Sequence, residues 1–213
     1  NADAVTNGVT IDAGGAVDAP LRLLSTPVRP LDASMAVADT SLSGLGSVGG
    51  LSPGERMFLA SFGMPPAAYR TQPAVVRLTC ANPCNDQLQA AADQYPGRVI
   101  WIDGNLLIDS SSVILLGSAV LPVIPPVVPP ATPPNILVVS GDISFGAASN
   151  VTINGIVYSR GSTWTVANGA IAVINGAFVA EGITDEDPAL DGGFRIVGAP
   201  SIVFDRSIVD HLS

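Results

Sequence analysis

The chain has 213 residues, 47% of them hydrophobic and only 13% charged, enough apolar material for one sizeable core. All 9 basic residues are Arg and 18 acids set the net charge at -9, so a Lys-free acidic surface opposes non-specific nucleic acid binding and adhesion to anionic lipid. With 22 Gly and 18 Pro, the composition argues for an all-β or mixed wall and against a helical bundle.

The chain begins at Asn1 without a Met, a signal peptide or an apolar run of about 18 residues, as expected of a processed chain or of a soluble portion separated from any membrane anchor. Asn7-Gly-Val-Thr-Ile-Asp12 resembles the later Asn150-Val-Thr-Ile-Asn154, which predicts that the N-terminus adds a strand to the same stack. The Ser- and Gly-rich stretch from Val37 to Gly50 reads as a mobile loop.

Residues 51–96 form a helical excursion. Ser52-Pro-Gly-Glu55 is a capping box: Ser52 as N-cap, Pro53 at the first helical position and Glu55 reaching back. Phe58 and Phe62 then share a face, expected to pack on the β wall. A second helix is predicted over Asn85–Tyr95, capped by Asn85 and stopped by Pro96-Gly97. Between the two helices, Cys80 and Cys84 bracket a five-residue loop turned by Pro83 that can close as a disulfide. Such a small loop contributes only about 2 kcal/mol in the chain-entropy account and would pin a local turn. The alternative is half a zinc site, against which stand the missing second Cys pair and a single His, His211, at the far end. A disulfide implies an oxidising compartment: periplasm, cell surface or medium.

Val99-Ile-Trp-Ile-Asp-Gly-Asn-Leu-Leu-Ile108 and Ile136-Leu-Val-Val-Ser-Gly-Asp-Ile-Ser-Phe145 share one frame of apolar residues around a glycine corner. Gly104 and Gly141 are 37 residues apart, and 24 remain once the Pro122–Pro134 insert is set aside. That insert, with 7 Pro in 13 residues, reads as a polyproline II loop, whose functional role would be a docking arm. Two more copies follow, Val151–Tyr158 and Val173–Val179, whose Ile-Asn-Gly triplets begin at Ile153 and Ile174, 21 residues apart. Their Asn-Gly pairs tolerate the backbone needed to bend a chain sharply. Gly198 lies 22 residues after Gly176 and reads as a further copy, with Ile202-Val-Phe204 continuing its strand.

A period of this size suits one coil of a β-solenoid, in which a unit too small to bury its own apolar face stacks on its neighbours. The expected fold is therefore mainly β: a parallel β-solenoid spanning residues 1–213 as one extracellular domain, with one or two packed helices and the proline-rich loop. A β-sandwich of short strands is the alternative. Ile153, Ile156, Val173, Ile174, Phe178, Ile196 and Val203 are expected inside.

Candidate chemistry is sparse. A polysaccharide lyase or hydrolase of the β-helix type needs acids clustered on one face, often with a basic residue, and the candidates are Asp103, Asp109 and Asp142, all at coil corners, with Arg160 and Arg195. The competing reading is that corner Asp residues satisfy turn amides. In the acidic run Asp185-Glu-Asp-Pro-Ala-Leu-Asp191, the oxygens of Asp185, Asp187 and Asp191 form a weak calcium candidate without the regular calcium-loop spacing. His211 reads as a solvated residue. No cofactor is expected. An ice-binding solenoid is a third class, but Thr152, Thr163 and Thr165 are too few and too scattered for an ice face.

The order Gly54-Glu-Arg-Met-Phe-Leu-Ala-Ser-Phe-Gly-Met-Pro-Pro-Ala-Ala-Tyr69, the small Cys segment, Trp101-Ile-Asp-Gly, the coil Asn150-Val-Thr-Ile-Asn-Gly-Ile-Val-Tyr158 and Val203-Phe-Asp-Arg-Ser-Ile-Val-Asp-His-Leu212 resembles the extracellular part of PilX-type minor pilins of type IV pili. It is also similar in plan to competence pilins of the ComZ type, which carry a β-solenoid. The hydrophobic N-terminal helix that carries pilins into the filament is not among these 213 residues, and the resemblance implies one ahead of Asn1. The resemblance implies a non-enzymatic surface protein that primes pilus assembly or sits at the tip, with other minor pilins and a tip adhesin as partners. It leaves open whether adhesion, motility or DNA uptake is served.

Overall fold

The computed structural model describes residues 4–6, 9–12, 22–23, 29–30, 51–111, 113–117, 133–181 and 194–204. Four short strands come first: β1 (Ala4–Thr6), β2 (Val9–Asp12), β3 (Arg22–Leu23) and β4 (Arg29–Pro30). Helices α1 (Pro53–Phe62) and α2 (Pro66–Tyr69), strand β5 (Val75–Leu78) and helix α3 (Asn85–Gln94) follow. Ten strands complete the order: β6 (Val99–Ile102), β7 (Leu106–Ile108), β8 (Val113–Leu116), β9 (Asn135–Val139), β10 (Ile143–Phe145), β11 (Asn150–Ser159), β12 (Thr163–Val166), β13 (Ile171–Ala180), β14 (Phe194–Val197) and β15 (Ser201–Phe204). No described helix is long and apolar enough to cross a membrane.

The protein is mainly β, with parallel sheets and few helices. One sheet runs β1-β2-β14-β12-β10-β7 and the other β4-β3-β15-β13-β11-β9-β6-β5, with β8 beside β11. Among the described residues every pairing is parallel except the hairpins β1–β2 and β3–β4. The chain passes between the sheets again and again. β11 meets β8 along its first half and β9 along its second, so strand pairing forms three strips in two sheets.

Register follows the sequence repeats. Val99 pairs with Ile136 and Ile108 with Phe145, the 37-residue offset. Asn150–Ser159 pairs residue for residue with Ile171–Ala180 at the 21-residue offset, which aligns the two Ile-Asn-Gly triplets. Because side chains alternate along a strand, this register sends one set of apolar residues inward on every pass. Leu106, Ile143, Trp164 and Ile196 make one in-register file, and Leu116, Ile153, Ile174 and Ile202 another. All eight are buried, each stabilising the fold by about 1.5–3 kcal/mol as an upper estimate.

The Asn-Gly pairs do not form turns. They bend continuous ten-residue strands. Gly155 has φ 153° and Gly176 φ 134°, and a Cβ on Gly155 would collide with the Asn135 carbonyl oxygen. Each Asn stitches one pass to the one before: Asn175 Nδ2 donates to Asn154 Oδ1 at 2.8 Å, and Asn154 Nδ2 donates to the Gly117 carbonyl at 3.1 Å.

Three further expectations are corrected. Gly198 does not stack on Gly176, because β14 pairs with β12, which puts Gly198 beside Val166, while β15 supplies the partner of β13. Ile153, Ile174 and Ile196 are buried, but Ile156, Val173 and Val203 have the opposite parity and are only half-buried on the outer side; Phe178 packs at the margin of the inner core. Asn85 is not the cap of its helix. Cys84 holds the N-cap position, and the Asn85 amide instead accepts from Asp109 N–H at 3.0 Å and donates to Asp109 C=O at 3.1 Å.

β2 joins β14 in parallel, so the N-terminus does add a strand. α1 carries the predicted capping box, with both reciprocal bonds formed. At the other end α3 caps the inner core with Leu88, Ala91 and Ala92. Cys80 and Cys84 form a disulfide, with Cys84 fully buried. The Val37–Gly50 loop and the proline-rich insert before Pro133 lie outside the described residues.

Candidate functional site

The outer face of the β6-β9-β11 strip carries an aromatic layer. Parity that sends Ile100, Leu137 and Val157 inward sends Trp101, Val138 and Tyr158 outward, where α1 covers them. Phe58 is fully buried at the centre: its ring lies 5.7 Å from Trp101, 5.2 Å from Tyr158 and 5.4 Å from Tyr69, each in edge-on contact. Phe62 adds contacts to Phe58 at 4.4 Å, Tyr69 at 4.9 Å and Tyr158 at 5.3 Å. Aromatic pairs in such geometries contribute about 0.5–1.5 kcal/mol each beyond area burial. Burial alone raises the Tyr69 phenol pKa.

An ion pair borders this layer. Arg160 Nε donates to Glu181 Oε1 at 2.9 Å, with the Glu181 side chain only 4% exposed, and the guanidinium lies 5.9 Å from the Phe58 ring centre. Burial pushes the Glu181 carboxyl above its ordinary value, against the lowering effect of the Arg160 bond. The Tyr158 hydroxyl, buried next to Glu181, is pushed up, first by desolvation and then by that neighbouring charge.

Asp103 receives two arginines: Arg77 Nη2 at 2.7 Å and Arg70 Nη2 at 3.1 Å. Asp142 Oδ1 accepts the backbone N–H groups of Ser162 and Thr163, both at 2.9 Å, as a corner Asp does when it satisfies turn amides. Asp109 sits at a different corner, its carboxyl against Gly146. Register places Asp109 beside Gly146 and Asp142 beside Asn105, so neither is paired in register with another of the proposed acids. Arg195 belongs to β14 through its backbone, paired with Thr163. Asp185, Asp187, Asp191 and His211 lie outside the described residues. Among the described residues no group of three His, Cys, Asp or Glu side chains has metal-binding geometry. A recess of about 130 Å³ between the Val166–Ala170 corner and Gly198-Ala199 has no ionisable lining residue, so it offers nothing to acid–base chemistry.

Three participants escaped sequence reading. Glu181 had a signal: it follows Arg160 by 21 residues, the same offset that aligns β11 with β13, so the pair meets across adjacent passes. Arg70 and Arg77 had none, because they come from the helical excursion, where no repeat predicts register. Compared with protein-family models, curated proteins and solved structures, the chain matches none of them.

Proposed function

We propose that the chain is a β-solenoid serving as the non-enzymatic head of a PilX-type minor pilin, active in pilus priming or at the tip through protein–protein contacts. One observation carries this reading. Three separate segments of the pilin resemblance supply one cluster: Phe58, Phe62 and Tyr69 from the first, Trp101 from the second and Tyr158 from the coil. Residues scattered over a hundred positions thus share one packing task, which gives the shared pattern a physical cause. The parallel stacking and the 21-residue register support the solenoid, since each pass buries its inner side chains only against its neighbours.

The disulfide agrees with an oxidising location such as the cell surface. Asp103 and Asp142 are engaged in holding arginines and corner amides, which favours the binding role over polysaccharide cleavage. The test is genetic and biochemical. Deleting the gene should reduce surface piliation, and the purified chain should capture co-encoded minor pilins at moderate salt. Normal piliation in the deletion strain, or acidic-polysaccharide turnover lost on replacing Asp103, Asp109 or Asp142, would reverse the reading.

A further inference from the structure

At the α3 end, three strands expose an edge: β5, β7 and β8. An open edge presents unpaired N–H and C=O groups to any passing strand. Two of the three are closed by α3. Gln89 accepts from Leu115 N–H at 2.8 Å and donates to Leu115 C=O at 3.1 Å, mimicking a strand neighbour on β8. Cys84 N–H donates to Leu107 C=O of β7 at 2.8 Å, and Asn85 holds both backbone groups of Asp109 just beyond.

Among the described residues β5 receives no such hydrogen bond from α3, although the helix lies near it. β5 ends its sheet, and β6 is its neighbour on one side only. The bond from Asp103 N–H to Leu78 C=O fixes which residues face β6, because alternate residues of a parallel strand turn their backbone groups to the same side. Val76 and Leu78 face β6; Val75 and Arg77 face outward. Val75 N–H is taken by Gln72 C=O at 3.0 Å. The outward N–H and C=O of Arg77 and the C=O of Val75 are left toward solvent among the described residues.

Charge says what fits there. In a chain of net charge -9, Arg70 and Arg77 share the single carboxylate of Asp103, and their side chains remain 40% and 47% exposed. Arg98, beside the start of β5, donates to Pro73 C=O at 3.2 Å and forms no ion pair among the described residues. Among the described residues positive charge therefore exceeds negative at both ends of the strand.

We infer that the β5 edge is a docking site for an extended acidic segment of a partner protein, which adds as a further strand and places carboxylates against Arg70, Arg77 and Arg98. This names a surface for the partner contacts proposed above, and rests on that reading for the partner being a protein. Main-chain bonds to Arg77 set the position, and charge sets the sequence preference.

The full chain is titrated with a fluorescein-labelled decapeptide of alternating Glu and Val, with its Lys-Val counterpart, and with the Glu-Val peptide N-methylated at every second residue. Expected are saturable binding of the first, and affinities lower by about tenfold or more for the other two and for R70Q/R77Q protein, whose fold is checked by circular dichroism. Saturating Glu-Val peptide should also slow hydrogen exchange at the Arg77 amide and leave Leu78, already bonded to β6, unchanged. The last readout needs no variant. Absence of Glu-Val binding, equal binding of Lys-Val or N-methylated peptide, or an unchanged Arg77 amide at saturation overturns the inference. Those outcomes leave the piliation test untouched, so the two failures are distinguishable.

Discussion

The two faces of the β6-β9-β11 strip are packed by different means. Inward lie Ile100, Ile102, Leu137, Val139 and Val157, aliphatic side chains stacked on aliphatic side chains in register. Outward lie Trp101, Val138 and Tyr158, joined by Phe58 from a helix that belongs to no repeat, and bordered by the Arg160–Glu181 pair. The inner face is held by repetition, so every pass supports its neighbours. The outer face depends on one helix and one ring at its centre, so it can be lost without the sheets. Stability and individuality are thus assigned to opposite sides of the same strands.

The largest effect on the fold as a whole is expected from the inner face. Leu137→Ala removes a fully buried side chain between Ile100 and Val157, and should cost about 2–5 kcal/mol of global stability, as buried Leu truncations do. Urea unfolding monitored by far-UV circular dichroism should show one transition at lower midpoint. An unchanged midpoint would mean that the inner files do not carry the fold.

On the outer face, Phe58→Ala should cost about 3–5 kcal/mol, felt by α1 rather than by the sheets. Hydrogen exchange should speed up across Pro53–Phe62 while amides of β11 and β13 stay protected. Equal loss of protection in both would erase the distinction drawn between the faces.

Much of the inner face was legible in the sequence and little of the outer. The 37- and 21-residue offsets gave true register because the same apolar alternation had to recur wherever passes stack. The offset failed at Gly198, where a glycine corner was matched to a glycine inside a strand: these repeats place Gly for corners and for close approach alike, and sequence does not separate the two. Ile156, Val173 and Val203 were misplaced for a related reason. β-branched residues suit either side of a strand, so only parity decides. The capping box of α1 was readable because it is local, whereas the Arg70–Asp103–Arg77 cluster depends on how the excursion returns to the sheet. Glu181 lay within reach of the repeat logic but carried no motif of its own.

A smaller effect separates the α3 end from both faces. Reducing Cys80–Cys84 should cost about 2 kcal/mol, the chain-entropy value for so short a loop, and leave the stacked strands folded. Exchange should rise around residues 79–88 alone. Global unfolding on reduction would show that α3 closes the core cooperatively with the sheets.

The smallest effect is a pH dependence that belongs to the outer face alone. Burial raises the Glu181 pKa in the folded protein more than Arg160 lowers it, so the folded state holds that proton more tightly than the unfolded chain. Between the ordinary carboxylate value and the raised one, the folded state binds more protons, and stability must rise as pH falls through that window. The contribution is fully present below the unfolded value and is lost as pH climbs through the folded one. Lower net repulsion at acid pH adds a background of the same sign, since the chain carries -9 at neutrality. The diagnostic is therefore a difference of slopes. Glu181→Gln keeps an acceptor for Arg160 Nε but removes the buried charge, and should flatten the stability–pH curve relative to the parent. Arg160→Met leaves the carboxylate buried without its partner, so it should steepen the same curve and be most damaging at neutral pH. Equal slopes in all three proteins would remove Glu181 from the account and leave only the background charge.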